Sequence, residues 1–143
     1  MALKPTIYKF RISLSNMDRH HYDNLNLIVA KHPSETEQRM MARILAFCIE
    51  AQEGLALTKG LSEIDEPDIW LKQPNDEIEL WIEIGEPDVE RVKKATRLAS
   101  NVKVYSFNTK SEVWWQQSES KFKQLNAHSY RFNWQHICIL TEL

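Results

Sequence analysis

The chain has 143 residues, 43% hydrophobic and 27% charged, an ordinary globular balance that excludes disorder and fibrous repeats and fits one domain over residues 1–143. No run approaches the roughly 18 apolar residues of a membrane helix, and the N-terminus lacks an apolar segment followed by a small-residue cleavage site, so the protein is read as cytoplasmic with no membrane partner. The net charge of -2 conceals a segregation: residues 61–90 carry eleven acids against one base, Lys72. An acidic segment beside a basic body suits a divalent cation facing a polyanion, although a solvated acidic surface accounts for the same counts.

Alternation through Tyr8, Phe10, Ile12 and Leu14, then through Tyr22, Leu25, Leu27 and Val29, predicts a β-hairpin turning at Asn16 to Asp18. Ser34, as N-cap, and Glu37, three residues later, form a capping box that opens a helix running to about Gln52, with Gly54 as its stop. Within it, Met40, Met41, Ile44, Leu45, Phe47, Cys48 and Ile49 recur at helical spacing. Cys48 and Cys138 show no metal spacing and read as buried thiols.

A short run at Leu55 to Thr58 follows, and Asp65 to Leu71 is either a strand or a turn of helix. Glu77 to Ile84 is a strand with Ile78, Leu80, Ile82 and Ile84 on one face and Glu77, Glu79, Trp81 and Glu83 on the other. Pro87-Asp88 opens a second helix to Ser100, with Asp88 as N-cap, and Val102 to Phe107 is the next strand. Strand, helix, strand predicts a parallel crossover. A third helix spans about Ser111 to Leu125, a last strand Ala127 to Trp134, and a tail His136 to Leu143.

Stripped of the hairpin, the order is helix, three strands, helix, strand. The expected architecture is α/β (α+β), a mixed sheet flanked by helices, with the αβββαβ core of the restriction-endonuclease-like, or PD-(D/E)XK, fold. Such nucleases place carboxylates at adjacent strand ends to hold Mg2+ against a scissile phosphate and use a lysine to offset developing charge.

His32-Pro33-Ser34-Glu35-Thr36 with Arg39 and Met40, Gly60-Leu61, Asp65-Glu66-Pro67 with Trp70, and Trp81-Ile82-Glu83 with Gly85, Pro87, Asp88, Arg91, Lys94 and Ala95 form further blocks, followed by Trp114. From Met1 to about Leu125 these resemble the YaeQ family of bacterial proteins. The resemblance implies a variant of the PD-(D/E)XK fold with a nuclease-like acidic pocket, and a chain short at the C-terminus relative to the family.

The expected metal carboxylates are Asp65, Glu83 and Glu35, with Asp68 as the alternative to Asp65. Glu83 is singled out because it lies at the end of a strand whose other face is aliphatic, while a solvated row with Glu77 and Glu79 is the competing reading. Glu35 competes with a first-turn acid paired to Arg39 at i+4. The nuclease motif wants lysine two residues after the acid, where this chain has Gly85, so Lys94 is the expected replacement, supported by Arg91 one turn earlier; Lys93 is its alternative. His32 reads as a loop residue at the hairpin-helix junction, and the other histidines have no ligand spacing. Of Trp114 and Trp115 at least one is expected in the core. Two functions follow: an Mg2+- or Mn2+-dependent phosphodiester hydrolase using Asp65, Glu83 and Lys94, or a catalytically inert nuclease-fold module that binds a protein or nucleic acid partner.

Overall fold

The computed structural model describes residues 4–58 and 66–142. Strands β1 (Thr6–Asn16) and β2 (His21–Lys31) form the antiparallel hairpin, in register from Thr6 opposite Lys31 to Asn16 opposite His21. Helix α1 (Glu37–Ile49) follows, then β3 (Leu55–Leu57), β4 (Ile69–Lys72), β5 (Ile78–Ile84), α2 (Val89–Leu98), β6 (Ala99–Ser106), α3 (Ser111–Phe122), β7 (Ala127–Arg131) and α4 (Trp134–Thr141). The second sheet has the order β3-β4-β5-β6-β7. Its first two pairings are antiparallel, and β5-β6 and β6-β7 are parallel, so helix-bearing crossovers join β5 to β6 and β6 to β7, as parallel neighbours require.

The alternation in β5 divides the core. Leu80, Ile82 and Ile84 join Ile69, Leu71, Tyr105 and Phe107 beneath α1 and α4. Trp81 joins Val102 and Val104 beneath α2 and α3, with Val92, Ala95 and Phe122 as the helical contribution. The other side of α1, Met40, Ile44 and Cys48, packs on the hairpin through Val29 and the half-buried Tyr8, Phe10, Ile12 and Leu14. Helix α1 therefore lies between hairpin and sheet, which explains its apolar run on two faces. Both cysteines are free thiols, Cys48 buried and Cys138 half-buried. Among the described residues, no helix is long and apolar enough to cross a membrane.

Three sequence expectations are corrected. The N-cap of α1 is Thr36, whose side chain accepts from the Arg39 N–H at 3.1 Å. The Ser34 hydroxyl instead lies 2.6 Å from His32 Nδ1, and Glu37 becomes the first helical residue, so there is no capping box. The helix also ends at Ile49, before Gln52, because Glu50 and Arg19 take over its C-terminus: Arg19 donates to the Ile49 and Ala51 carbonyls at 2.7 and 2.8 Å, a cation at the negative helix end. Finally, the last strand stops at Arg131 and the tail is helical. Asn133 caps α4 by accepting from the Gln135 and His136 N–H groups, which lets Ile137 pack at 0% exposure against α1. Asp88 occupies the N-cap position of α2 but makes no side-chain capping bond.

Candidate active site

The carboxyl end of β5 gathers charge from both sides of the sheet. Glu83 is 4% exposed, on the same strand face as Trp81, as alternation demands. Its Oε1 accepts from Trp81 Nε1 at 2.9 Å and from Arg91 Nε at 2.9 Å. Arg91, on α2 and half-exposed, also donates to the Glu66 carbonyl at 2.9 Å. The solvated row with Glu77 and Glu79 therefore stops short of Glu83.

Asp68 precedes β4. The register of that strand pairs Ile69 with Ile82, so the next step brings Asp68 level with Glu83. Asp68 is 4% exposed; its Oδ2 accepts from the Ile84 N–H at 2.9 Å and its Oδ1 from Arg39 Nη2 at 2.7 Å. Arg39 reaches the site from the opposite face, because α1 packs on the Ile82 and Ile84 side. It donates to Glu35 Oε2 at 2.6 Å and to the Ile84 carbonyl at 3.2 Å. Arg43, one turn on, donates to Glu35 Oε1 at 2.7 Å and to the Ala30 carbonyl at 3.1 Å. The result is a continuous chain, Arg43 to Glu35 to Arg39 to Asp68, ending beside Glu83.

Electrostatics distinguish the carboxylates. Burial, reinforced by the negative charge of Asp68, pushes Glu83 up to about 7, against the lowering effects of Arg91 and the Trp81 hydrogen bond. Burial alone would lower the Arg39 guanidinium, but Asp68 and Glu35 outweigh it and hold its pKa above the usual value. Glu35, with each oxygen on an arginine, is the anchor of the two cations; Asp68 and Glu83 are a like-charge pair at adjacent strand ends.

Of the residues expected at the site, Glu83, Asp68, Glu35, Arg39 and Arg91 meet here. Asp65 lies outside the described residues. Lys94 is exposed on α2, one turn beyond Arg91. Gly85 occupies the nuclease lysine position for a backbone reason. Its φ is +114° and a Cβ there would meet nothing within 4 Å, so conformation and not space demands glycine as the chain leaves β5. The sequence reading missed Arg43 and Trp81. Arg43 had a signal, a lone charge inside the apolar run Met40 to Cys48; Trp81 had another, its place two residues before Glu83 on one strand face.

Among the described residues no three His, Cys, Asp or Glu side chains converge as a ready metal cage. The pair Asp68 and Glu83 nonetheless fits a hard cation in donor chemistry, since Mg2+ is commonly held by one or two carboxylates with water and substrate phosphate completing the shell.

The YaeQ protein family model matches residues 1–143. The chain is 46% identical to YaeQ of Salmonella typhi over 125 residues, 87% of this chain and 69% of that protein, and 45% identical to YaeQ of Escherichia coli K12 over the same shares. Its fold superimposes on the crystal structure of the YaeQ protein from Xanthomonas axonopodis pv. citri with a TM-score of 0.93 at 34% identity, covering 97% of this chain and 80% of the other. The corresponding values for YaeQ from Pseudomonas syringae are 0.92, 32%, 96% and 77%. The sequence blocks quoted above and the whole-chain structural match agree: this chain belongs to the YaeQ family.

Proposed function

We propose that this chain is a divalent-cation-dependent phosphodiester hydrolase of the PD-(D/E)XK type, acting in the cytoplasm. The observation that carries the reading is the buried pair Asp68 and Glu83 at adjacent strand ends, flanked by Arg39 and Arg91. Two carboxylates whose charges repel in a dry site gain from a dication between them. Asp68 and Glu83 would hold Mg2+ or Mn2+, with Asp65 as the third candidate ligand. When bound, the ion polarises a phosphoryl oxygen and lowers the pKa of a bound water.

The remaining roles belong to the chain's own cations. Glu35 fixes Arg39 and Arg43 on one face of α1, and Arg39 in turn fixes the Asp68 carboxylate. Arg91, half-exposed and held by Glu83 and the Glu66 carbonyl, would place a positive charge beside a substrate phosphate. Lys94, one helical turn away, supplies the charge that the motif's lysine supplies elsewhere. Glu83 lies toward the carboxyl end of β5, the side of a parallel sheet on which ligands usually sit.

A second reading, an inert binding module, has its own support: Arg39 lies between Glu35 and Asp68 and Gly85 replaces the motif lysine. Calorimetric titration with Mg2+ and Mn2+ separates the two. The hydrolase reading expects saturable binding in the wild type that is lost in Glu83→Ala and weakened in Asp68→Asn and Asp65→Ala. Absence of binding in the wild type, or binding indifferent to all three substitutions, overturns it.

A further inference from the structure

We propose that a cavity two strands away from Glu83 is a nucleobase pocket, holding an unpaired base of a single-stranded nucleic acid. The cavity has a volume of about 400 Å³ and lies where β6, β7 and α3 meet, within the roughly 300–1,000 Å³ range of small-molecule sites. Placing the scissile phosphate at Asp68 and Glu83 rests on the hydrolase reading; the pocket's affinity for a base does not.

The register sets its relation to the carboxylates. Glu83 pairs with Val104 and Val104 with Ser129, while Ser106 pairs with Arg131. Partners in a ladder share a face and alternate residues return to it, so Glu83, Ser106, Ser129 and Arg131 all emerge on the side covered by α2 and α3. Two strand spacings of about 4.8 Å separate β5 from β7, roughly 10 Å. Pocket and Glu83 thus lie on one face of the sheet, toward the carboxyl ends of three parallel strands.

The lining has the parts a base needs. Trp115 and Gln116 line the cavity from α3 with Glu112, at positions i+3 and i+4 from it and therefore on one helical face. The Trp115 indole is an aromatic wall already held by Phe122 and Trp114, with ring centroids at 5.6 and 5.9 Å, so little ordering cost remains on stacking. The Gln116 amide offers donor and acceptor, Glu112 offers an acceptor for an exocyclic amine, and the Ser129 hydroxyl offers either. Ser106 Oγ faces the Tyr130 carbonyl at 3.3 Å, which orients its lone pairs away from that oxygen. Arg131, exposed at the rim, supplies a cation for a backbone phosphate. A purely apolar ligand would strand these polar groups, and a bare phosphate would leave the indole unused. A base in duplex has both its faces stacked and its edge paired, which restricts the occupant to a single strand.

The test is an indole N–H NMR titration of 15N-labelled protein with AMP, GMP, CMP and UMP, with ribose 5-phosphate as the probe lacking a base. Trp115→Phe assigns the Trp115 signal. The expected result is a saturable shift of that signal with the nucleotides and none with ribose 5-phosphate; the affinity is weakened roughly ten-fold or more in Trp115→Leu, where it is followed on the neighbouring Trp114 indole N–H, is weakened in Gln116→Ala, and is unchanged in Glu83→Gln. Gln116 is exposed, so its variant retains the test where Trp115→Leu does not fold. No saturable shift, an equal shift with ribose 5-phosphate, or affinities indifferent to Gln116→Ala overturn the pocket. Loss of Mg2+ binding in Glu83→Gln is read separately, so that nucleotide binding without metal binding refutes the hydrolase reading alone, and metal binding without nucleotide binding refutes the pocket alone.

Discussion

Glu83→Gln should raise the relative stability of this protein as pH increases. The Glu83 carboxyl titrates near 7 in the folded chain against a normal value of 4.5, chiefly because it is buried and then because Asp68 is close. A group whose folded pKa is raised binds more protons folded than unfolded between those values, so its contribution is fully present below pH 4.5 and is lost as pH rises through 7. At about 1.4 kcal/mol per pKa unit, the loss between pH 5 and pH 8 amounts to about 2 to 3 kcal/mol. Glutamine keeps an oxygen for Trp81 Nε1 and Arg91 Nε but carries no titrating proton, so the variant lacks this slope. Urea denaturation of both proteins at pH 5, 6, 7 and 8 measures it as the change in their stability difference. A difference that stays constant within about 0.5 kcal/mol across this range would show that Glu83 ionises normally, and the argument for a strained carboxylate pair would fail. Ten dissociation constants of Mg2+ at pH 8 should return about 1.4 kcal/mol to the wild type and nothing to the variant.

Arg43→Met should destabilise the fold by about 3 to 5 kcal/mol in urea denaturation, because Glu35 is 5% exposed and loses the cation on its Oε1; a loss below 1 kcal/mol would mean that Arg39 alone neutralises Glu35. Thr36→Ala should cost about 1 kcal/mol by the same measurement and Ser34→Ala only a few tenths, since Thr36 and not Ser34 accepts the helical N–H; the reverse order would restore the capping box that Ser34 and Glu37 spell.

Much of this architecture is written locally. The hairpin, β5, α2 and the parallel crossover to β6 follow from periodicity, since strand alternation and helical recurrence each reflect one element's own geometry. Glu83 was legible for the same reason: a strand with an unbroken aliphatic face must turn its acid to the other side, and Trp81 on that side makes the position apolar. Helix α4 was not, because Ile137, Cys138 and Ile139 have no local preference strong enough to assign the tail to an element, and the deciding contact is the burial of Ile137 against α1, more than 80 residues earlier in the chain.

The same division runs through the site. The sequence by itself determined the family, the residue types and the order of the strongly periodic elements, because patterning and motif blocks are properties of neighbours along the chain. Only the tertiary structure decided what each charge does. Glu35 is spent on Arg39 and Arg43, Asp68 is drawn level with Glu83 by the β4–β5 register, and Gly85 is fixed by a backbone angle. Whether a carboxylate is neutralised, coupled or solvated depends on groups brought together in space from α1, β4 and α2, and Coulomb energy at a few ångströms in a dry site is blind to separation along the chain.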